Sequence, residues 1–147
     1  MLFRLAKIAD PAGGVCFHRM GDVGGMDAEG RIWFCGRKSQ RVVTPTETLF
    51  TIPCEAVFNT HPDVARTALV GVGEPGRQLP VLCVELEKGT WVDRAKVRRE
   101  LLAIGRAHIH THGITAILFH PAFPVDIRHN AKIFREKLAL WASRRLP

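Results

Sequence analysis

One lysine near the carboxyl end of the chain, Lys132, is placed where a cation could do chemistry. It lies in the segment 123–133, which carries Pro124 and a polar run and which precedes a helical pattern. Proline and short polar residues favour irregular backbone, so the sequence predicts an extended, mobile loop here. A lysine ammonium on such a loop could neutralise a carboxylate substrate and stabilise negative charge that develops on a phosphate. Taken alone, a lysine on a loop is usually just solvated, and the catalytic interpretation depends on the residues that accompany it.

Two further side chains could contact a nucleotide. Asp22 stands at the start of a predicted hairpin, where its carboxylate could accept hydrogen bonds from two vicinal hydroxyls, such as those of a ribose. Arg37 ends the second strand of that hairpin and offers a fork of donors near the same place. The alternatives are an aspartate that satisfies local backbone N–H groups and a surface arginine.

Three alternating histidines, His108, His110 and His112, could share one face of a strand and bind a metal. They fall at a helix-to-strand junction, where alternation is not assured, so the sequence favours a polar connection and predicts no metal site. The sequence contains no phosphate-loop, nucleophile-elbow or H-E-x-x-H motif.

Composition is typical of one globular domain. The chain has 147 residues, of which 46% are hydrophobic and 24% charged, and its formal net charge is +7. No apolar run approaches the length of a membrane span, and the N-terminus has no long apolar core, so a cytoplasmic protein without a transmembrane segment is expected. The positive charge would suit an anionic nucleotide or an acidic neighbouring domain. Nucleic-acid binding is not expected, because no aromatic platform accompanies that charge. Much of the charge is predicted to lie on the solvated face of one helix, at Arg94, Lys96, Arg98, Arg99 and Arg106.

The four cysteines are far apart and form no C-x-x-C pair. Most stand in apolar segments, so buried reduced thiols are predicted rather than zinc ligands or disulfides.

Hydrophobic patterning predicts an α+β fold, with a hairpin and a small mixed sheet of about three strands packed by helices. The order is hairpin, helix, two strands, helix, strand, loop, helix, after a connecting tail of about fifteen residues. The predicted segments are the hairpin strands 23–26 and 31–35, a proline-containing loop 44–48, a helix from about 52 that ends before His61, strands 64–72 and 81–86, a helix 92–106, a strand 114–119 and a helix 134–143. In the helix 92–106, Thr90 or Asp93 could be the N-cap, and Val97, Leu101 and Ile104 recur at helical spacing.

Four landmarks in this order resemble the C-terminal part of the acyl-adenylate-forming superfamily, which includes acyl-CoA synthetases. They are His18-Arg19-Met20-Gly21-Asp22, the hairpin motif from Gly24 to Arg37, Ile52-Pro53-x-Glu55-Ala56-Val57, and Asn130-Ala131-Lys132-Ile133. Within the superfamily, segments such as Trp33 to Ser39 and Phe119 to Lys132 look like bacterial olefin β-lactone synthetases. These enzymes are understood to adenylate a β-hydroxy fatty acid with ATP, after which the substrate hydroxyl displaces AMP and closes a β-lactone.

The resemblance implies a role for each candidate residue. Lys132 would be the catalytic cation between the substrate carboxylate and the α-phosphate, Asp22 would accept the ribose hydroxyls, and Arg37 would make a second nucleotide contact. Ser39 stands at the hinge about which the small domain turns, where the family often has Asp or Lys.

The resemblance also implies the surroundings of the chain. Residues 1–38 would be the end of an N-terminal domain with the hairpin, and residues 39–147 the lid domain. ATP with Mg²⁺ and an N-terminal adenylation domain would complete the enzyme, and the lid would be inactive without that domain. Two alternatives remain open: the lid of a fatty acyl-CoA ligase, which would use coenzyme A, or a stand-alone module that docks on a separate N-terminal half.

Overall fold

The computed structural model of this chain describes residues 7–9, 13, 16–18, 20–89, 92–128 and 132–146. Its strands are β1 (Lys7–Ala9), β2 (Cys16–His18), β3 (Asp22–Met26), β4 (Ile32–Arg37), β5 (Val42–Val43), β6 (Thr48–Leu49), β7 (Val64–Val72), β8 (Leu79–Leu86), β9 (Ala116–Phe119), β10 (Val125–Asp126) and β11 (Lys132–Ile133). Its α-helices are α1 (Thr51–Phe58), α2 (Arg94–Arg106) and α3 (Arg135–Ser143), and a 3₁₀ turn spans Lys38–Gln40.

The central layer is a mixed sheet of three strands in the order β7-β8-β9. β7 and β8 pair antiparallel, whereas β8 and β9 pair parallel and are joined through α2, as a parallel pair requires. Both faces of the sheet are covered: Leu69 and Leu82 belong to one buried cluster with residues of α1 and α2, and Val81 and Cys83 belong to another with residues of α3. The predicted α+β fold with a three-stranded mixed sheet is therefore confirmed.

Helix α1 begins at Thr51 and carries Pro53 in its first turn, where a missing backbone N–H costs nothing. It ends at Phe58, before His61, as predicted. Phe58 is fully buried, and Gly105 of α2 lies so close that a Cβ there would be 2.9 Å from its ring. The small residue therefore lets the two helices approach each other.

Helix α2 follows the predicted pattern on its apolar side and departs from it on its basic side. Asp93 caps the helix by accepting from the N–H groups of its first turn, whereas Thr90, the other cap considered, lies outside the described residues. Arg98 was expected to be solvated, but its guanidinium donates to the Ile117 carbonyl at 2.5 Å and lies 5.4 Å from the centre of the Phe119 ring. This arginine therefore packs α2 against β9, which removes it from the solvated basic face.

Two short strand pairs were not predicted. β1 pairs antiparallel with β2, so the first residues are not merely a connecting tail. The predicted loop around 44–48 is the turn of a second small hairpin, in which β5 pairs with β6 and the Thr44 N–H donates to the Glu47 carbonyl at 2.9 Å. Strands of two or three residues are too short to show the alternation by which a strand is recognised in a sequence.

The segment around Lys132 also differs from its prediction. Lys132 lies in β11, which pairs antiparallel with β10, with Asp126 opposite Lys132. The Phe134 N–H donates to the Pro124 carbonyl at 2.9 Å and closes the ladder. Lys132 itself therefore lies in a short strand rather than on an irregular loop, and its backbone is extended as predicted.

The described cysteines Cys54 and Cys83 are buried and free, and Cys35 is half-buried and free. This agrees with the predicted reduced thiols, and the side chain of Cys16 lies outside the described part. None of the helices in the described ranges has the length and apolar character needed to cross a bilayer.

Candidate functional site

An open cleft of about 680 Å³, called here the lysine cleft, lies between the end of the hairpin, the 3₁₀ turn, β11 and the first turn of α3. It brings together three of the four predicted site residues, Arg37, Ser39 and Lys132, and places Asp22 beside it through Arg37. The lining residues are Met20, Gly21, Arg37, Lys38, Ser39, Gln40, Arg41, Lys132 and Glu136.

Asp22 and Arg37 are held opposite each other by the hairpin. They are register partners in the β3–β4 ladder, and Arg37 Nη1 lies 3.0 Å from Asp22 Oδ1. The same Nη1 donates to the Met20 carbonyl at 2.7 Å. The Asp22 side chain does not line the cleft itself, but it remains 37% exposed.

The backbone at the end of β4 is unusually constrained. Gly36 is buried and has a φ of +115°, and a Cβ on it would lie 2.6 Å from Thr51 Oγ1 at the start of α1. Only glycine suits such a position, since an L side chain would be strained by the φ angle and would clash with the helix. This contact fixes the direction in which Arg37 leaves the hairpin.

Ser39 occupies the exposed 3₁₀ turn that follows directly after Arg37. The Lys38 N–H donates to the Gly21 carbonyl at 2.8 Å, so the turn begins against the hairpin. This short turn connects the hairpin with the segment that leads into β5.

Lys132 is exposed and lies between two adjoining clefts. Besides the lysine cleft, it lines a smaller one of about 450 Å³, together with Gly36, Arg37, Thr51 and Arg135 among others. Lys132 therefore lies on the surface where the hairpin meets the rest of the chain, although Lys132 and the hairpin are distant in sequence.

The lysine cleft is predominantly cationic. Four lining side chains carry a positive charge and one is a carboxylate, Glu136. Clustered cations raise the local concentration of anions and favour phosphate or carboxylate groups. The chemistry available at the cleft is thus the binding of an anionic ligand, with Asp22 as a hydrogen-bond acceptor at its edge.

One feature near the site was not found from the sequence. Arg135, the first residue of α3, donates through Nη1 to Glu55 Oε1 at 2.5 Å and through Nη2 to Glu55 Oε2 at 2.9 Å. Glu55 Oε1 also accepts from the Leu69 N–H at 2.7 Å, and Arg135 Nη1 lies 3.2 Å from the Leu69 carbonyl. Burial raises the pKa of the Glu55 carboxyl, and the Arg135 guanidinium opposes that rise. The two residues are 80 positions apart, so no local pattern could have paired them.

The three histidines do not share a strand face. They lie in a turn region, where His108 Nδ1 contacts the Ile104 carbonyl at 3.1 Å and His110 Nε2 contacts the Pro53 carbonyl at 3.3 Å. Among the residues that the structure describes, no three metal-ligating side chains are grouped so as to hold an ion.

Similar proteins were found by sequence and by structure. Olefin β-lactone synthetase of Xanthomonas campestris pv. campestris is 63% identical over 127 residues, which cover 86% of this chain and 23% of that protein. The protein of the same name from Stenotrophomonas maltophilia is 60% identical over 129 residues, which cover 88% of this chain and 23% of that protein. This chain therefore spans about a quarter of the length of the curated relatives it matches. No family model matches it.

Its fold is shared by solved structures of longer enzymes, including the following two. Amide bond synthetase McbA from Marinactinospora thermotolerans has a TM-score of 0.68 at 26% identity and matches 84% of this chain and 25% of its own. Anthranilate CoA ligase AuaEII, solved with anthranoyl-AMP, has a TM-score of 0.74 at 21% identity and matches 90% of this chain and 25% of its own. In both comparisons the match is to a small part of a longer enzyme.

Proposed function

This chain belongs to the adenylate-forming superfamily, and we propose that it acts as part of an adenylate-forming enzyme. Over most of its length it is homologous to olefin β-lactone synthetases. It is the C-terminal lid of an ATP-dependent enzyme that converts a β-hydroxy fatty acid into a β-lactone through an acyl-adenylate. The lid has negligible activity without the N-terminal adenylation domain that completes the site.

The observation that carries this proposal is the shared position of Lys132 and Arg37 on one cationic cleft, with Ser39 between the hairpin and β5. Asp22 lies 3.0 Å from Arg37 at the edge of the cleft. In the proposed reaction Asp22 accepts the ribose hydroxyls of the nucleotide, Arg37 makes a second nucleotide contact, and Lys132 lies between the acyl carboxylate and the α-phosphate.

The chemistry divides into two displacements. The substrate carboxylate first attacks the α-phosphorus of ATP, which enters with Mg²⁺, and pyrophosphate leaves. The β-hydroxyl oxygen then attacks the acyl carbon, AMP leaves with the bonding electrons, and the hydroxyl proton passes to solvent or a base of the N-terminal domain. Lys132 contributes to the first step, because its positive charge offsets the negative charges of the substrate carboxylate and the α-phosphate as these two groups approach each other.

The proposal divides the chain at the 3₁₀ turn. Residues 1–38 are the end of the N-terminal domain, including the hairpin, and residues 39–147 are the lid that turns about Ser39. The described structure supports this division in that Ser39 lies in a short exposed connection between the hairpin and β5. The cytoplasmic location expected from the sequence stays a prediction.

The test is the product formed by the complete enzyme, that is, this chain joined to its N-terminal adenylation domain. It is given ATP, Mg²⁺ and a β-hydroxy fatty acid, with and without coenzyme A, and the products are separated by mass spectrometry. We expect AMP, pyrophosphate and a β-lactone in both reactions. A thioester that forms only with coenzyme A would identify an acyl-CoA ligase instead.

The isolated chain provides the second arm of the test. It should catalyse no measurable ATP–pyrophosphate exchange, and exchange by the chain alone would contradict the assignment as a lid. Co-purification with a separately encoded N-terminal half would show that the chain is a docking module. Arg99 lies on the exposed face of α2 and is suited to such docking, whereas Arg98 is already engaged with β9.

A further inference from the structure

We propose that the buried pair of Glu55 and Arg135 positions Lys132 for the adenylation step. The inference rests on the function proposed above and adds two positioning residues to it. Neither is proposed to touch substrate; both would act through the backbone that carries the lysine.

The pair joins three elements at one point. Arg135 begins α3, Glu55 lies in α1, and both contact the backbone of Leu69 in β7. The Arg135 and Glu55 side chains are only 12% and 8% exposed. A two-pronged guanidinium–carboxylate contact fixes both distance and orientation, and its burial prevents water from replacing it.

The position of Arg135 in the chain connects this anchor to Lys132. Arg135 follows Lys132 closely in sequence, so their Cα atoms can be at most about 10 Å apart, even with a fully extended backbone. The intervening residues are also held: Ile133 pairs with Val125, and the Phe134 N–H donates to the Pro124 carbonyl. β11 is only two residues long, which is too short to hold its own position without the helix that follows.

Arg135 itself is unsuited to act as a second catalytic cation, although it lines the smaller cleft beside Lys132. Its Nη1 and Nη2 atoms are occupied by the Glu55 carboxylate, and Nη1 also lies 3.2 Å from the Leu69 carbonyl. The Glu55 carboxylate thus offsets the charge of the Arg135 guanidinium. The contact between these two side chains sets the orientation of α3.

The chain offers a matched control in Asn59. This residue caps the C-terminus of α1, one turn after Glu55, and its Oδ1 accepts from the N–H and the hydroxyl of Thr67 in β7 at 2.8 and 2.9 Å. It therefore joins α1 to β7 as Glu55 does, but by way of Thr67 rather than α3. Asn59→Ala should weaken the same helix–sheet contact without affecting Lys132.

The first measurement is amide hydrogen exchange on the chain, with Arg135→Gln, Arg135→Lys and Asn59→Ala compared with the unmodified protein. The Phe134 amide reports on the Lys132 strand and the Thr67 amide on the control contact. We expect Arg135→Gln to speed exchange at the Phe134 amide by about tenfold or more and to leave exchange at the Thr67 amide nearly unchanged. In Asn59→Ala, the Thr67 amide should exchange faster and the Phe134 amide should be nearly unchanged. Arg135→Lys should recover only part of the protection at Phe134, because a lysine cannot form the two-pronged contact. Equal loss at both amides in Arg135→Gln would show a merely global effect and overturn the inference.

The second measurement is ATP–pyrophosphate exchange by the complete enzyme. A displacement of about 1 Å in a reacting group can cost roughly 100-fold in rate, so Arg135→Gln should lower kcat by about that factor while the KM for ATP changes little. Asn59→Ala should keep both parameters. If Lys132→Ala abolishes exchange but Arg135→Gln keeps the normal kcat, the positioning role is wrong and the proposed function stands. If Lys132→Ala keeps the normal rate, the proposed function falls, and the positioning role falls with it.

Discussion

Replacing Gly36 by alanine tests the junction between the hairpin and α1. The added methyl group would be 2.6 Å from Thr51 Oγ1 and 3.5 Å from Ile52 Cγ1, and the residue would have to keep a φ of +115°. Overpacking of a filled site typically costs about 1–3 kcal/mol, and a positive φ costs an L residue about 1–2 kcal/mol. We therefore expect Gly36→Ala to lower the free energy of unfolding by about 2–5 kcal/mol, a large part of the stability of a small domain.

Two other glycines of the same hairpin separate these contributions. Gly30 has a φ of +80° and no atom within 4 Å of the place that a Cβ would take, whereas Gly25 has neither a positive φ nor a neighbour within 4 Å. Urea denaturation followed by circular dichroism should give about 1–2 kcal/mol for Gly30→Ala and within about 0.5 kcal/mol for Gly25→Ala.

The clash itself is measured by a double-mutant cycle. Thr51→Ala removes the hydroxyl that the new methyl group would meet, so Gly36→Ala should be less destabilising in that background by about 1–3 kcal/mol. The cost of the φ angle should remain. The reasoning is refuted if Gly36→Ala costs no more than Gly30→Ala, or if Thr51→Ala leaves the cost of Gly36→Ala unchanged.

Two further predictions concern titratable groups. Burial raises the pKa values of the Cys54 and Cys83 thiols to about 12. A thiol reagent at pH 8 should therefore label half-buried Cys35 before Cys54 and Cys83, and should reach those two only on unfolding. Peptide mapping that finds Cys54 labelled as fast as Cys35 would contradict this. Burial also lowers the pKa of His120 from its ordinary value of 6.5, beside the Trp141 ring at 4.6 Å. Because the unfolded chain then binds the proton more readily, the free energy of unfolding should decrease as pH falls from 6.5 through the lowered pKa, and less so in His120→Asn. An NMR titration midpoint of His120 at or above 6.5 would be evidence against it.

The sequence predicted the long elements of the fold because each carries its own pattern. The β-branched runs of β7 and β8 indicated strands, and Val97 and Leu101 at helical spacing indicated the buried side of α2. The short strands gave no such signal, so Lys132 was predicted to lie on a loop although it lies in β11. Arg98 was likewise predicted to be solvated. Its acceptor, the Ile117 carbonyl, lies in β9, and no local pattern around Arg98 indicates that β9 packs beside α2.

The candidate site was predictable only in part. Residue types and their order, through the resemblance, selected Asp22, Arg37, Ser39 and Lys132, and the structure brings the last three to one cleft. The contact that holds α3 was not predictable in this way. Arg135 and its acceptor are 80 residues apart, and the carboxylate stands in a helix whose sequence gave no reason to expect burial of a charge.

The central claim is that Lys132 acts in adenylation, and its most direct test is the rate of ATP–pyrophosphate exchange by the complete enzyme with Lys132→Ala. Lys137→Ala is the matched control, because this exposed lysine follows in the first turns of α3 and its ammonium lies 4.5 Å from the centre of the Phe134 ring. Loss of a charge that stabilises developing negative charge typically lowers a rate about 100- to 1000-fold. We expect a reduction of that size in Lys132→Ala and a nearly normal rate in Lys137→Ala. A normal exchange rate in Lys132→Ala would contradict the account.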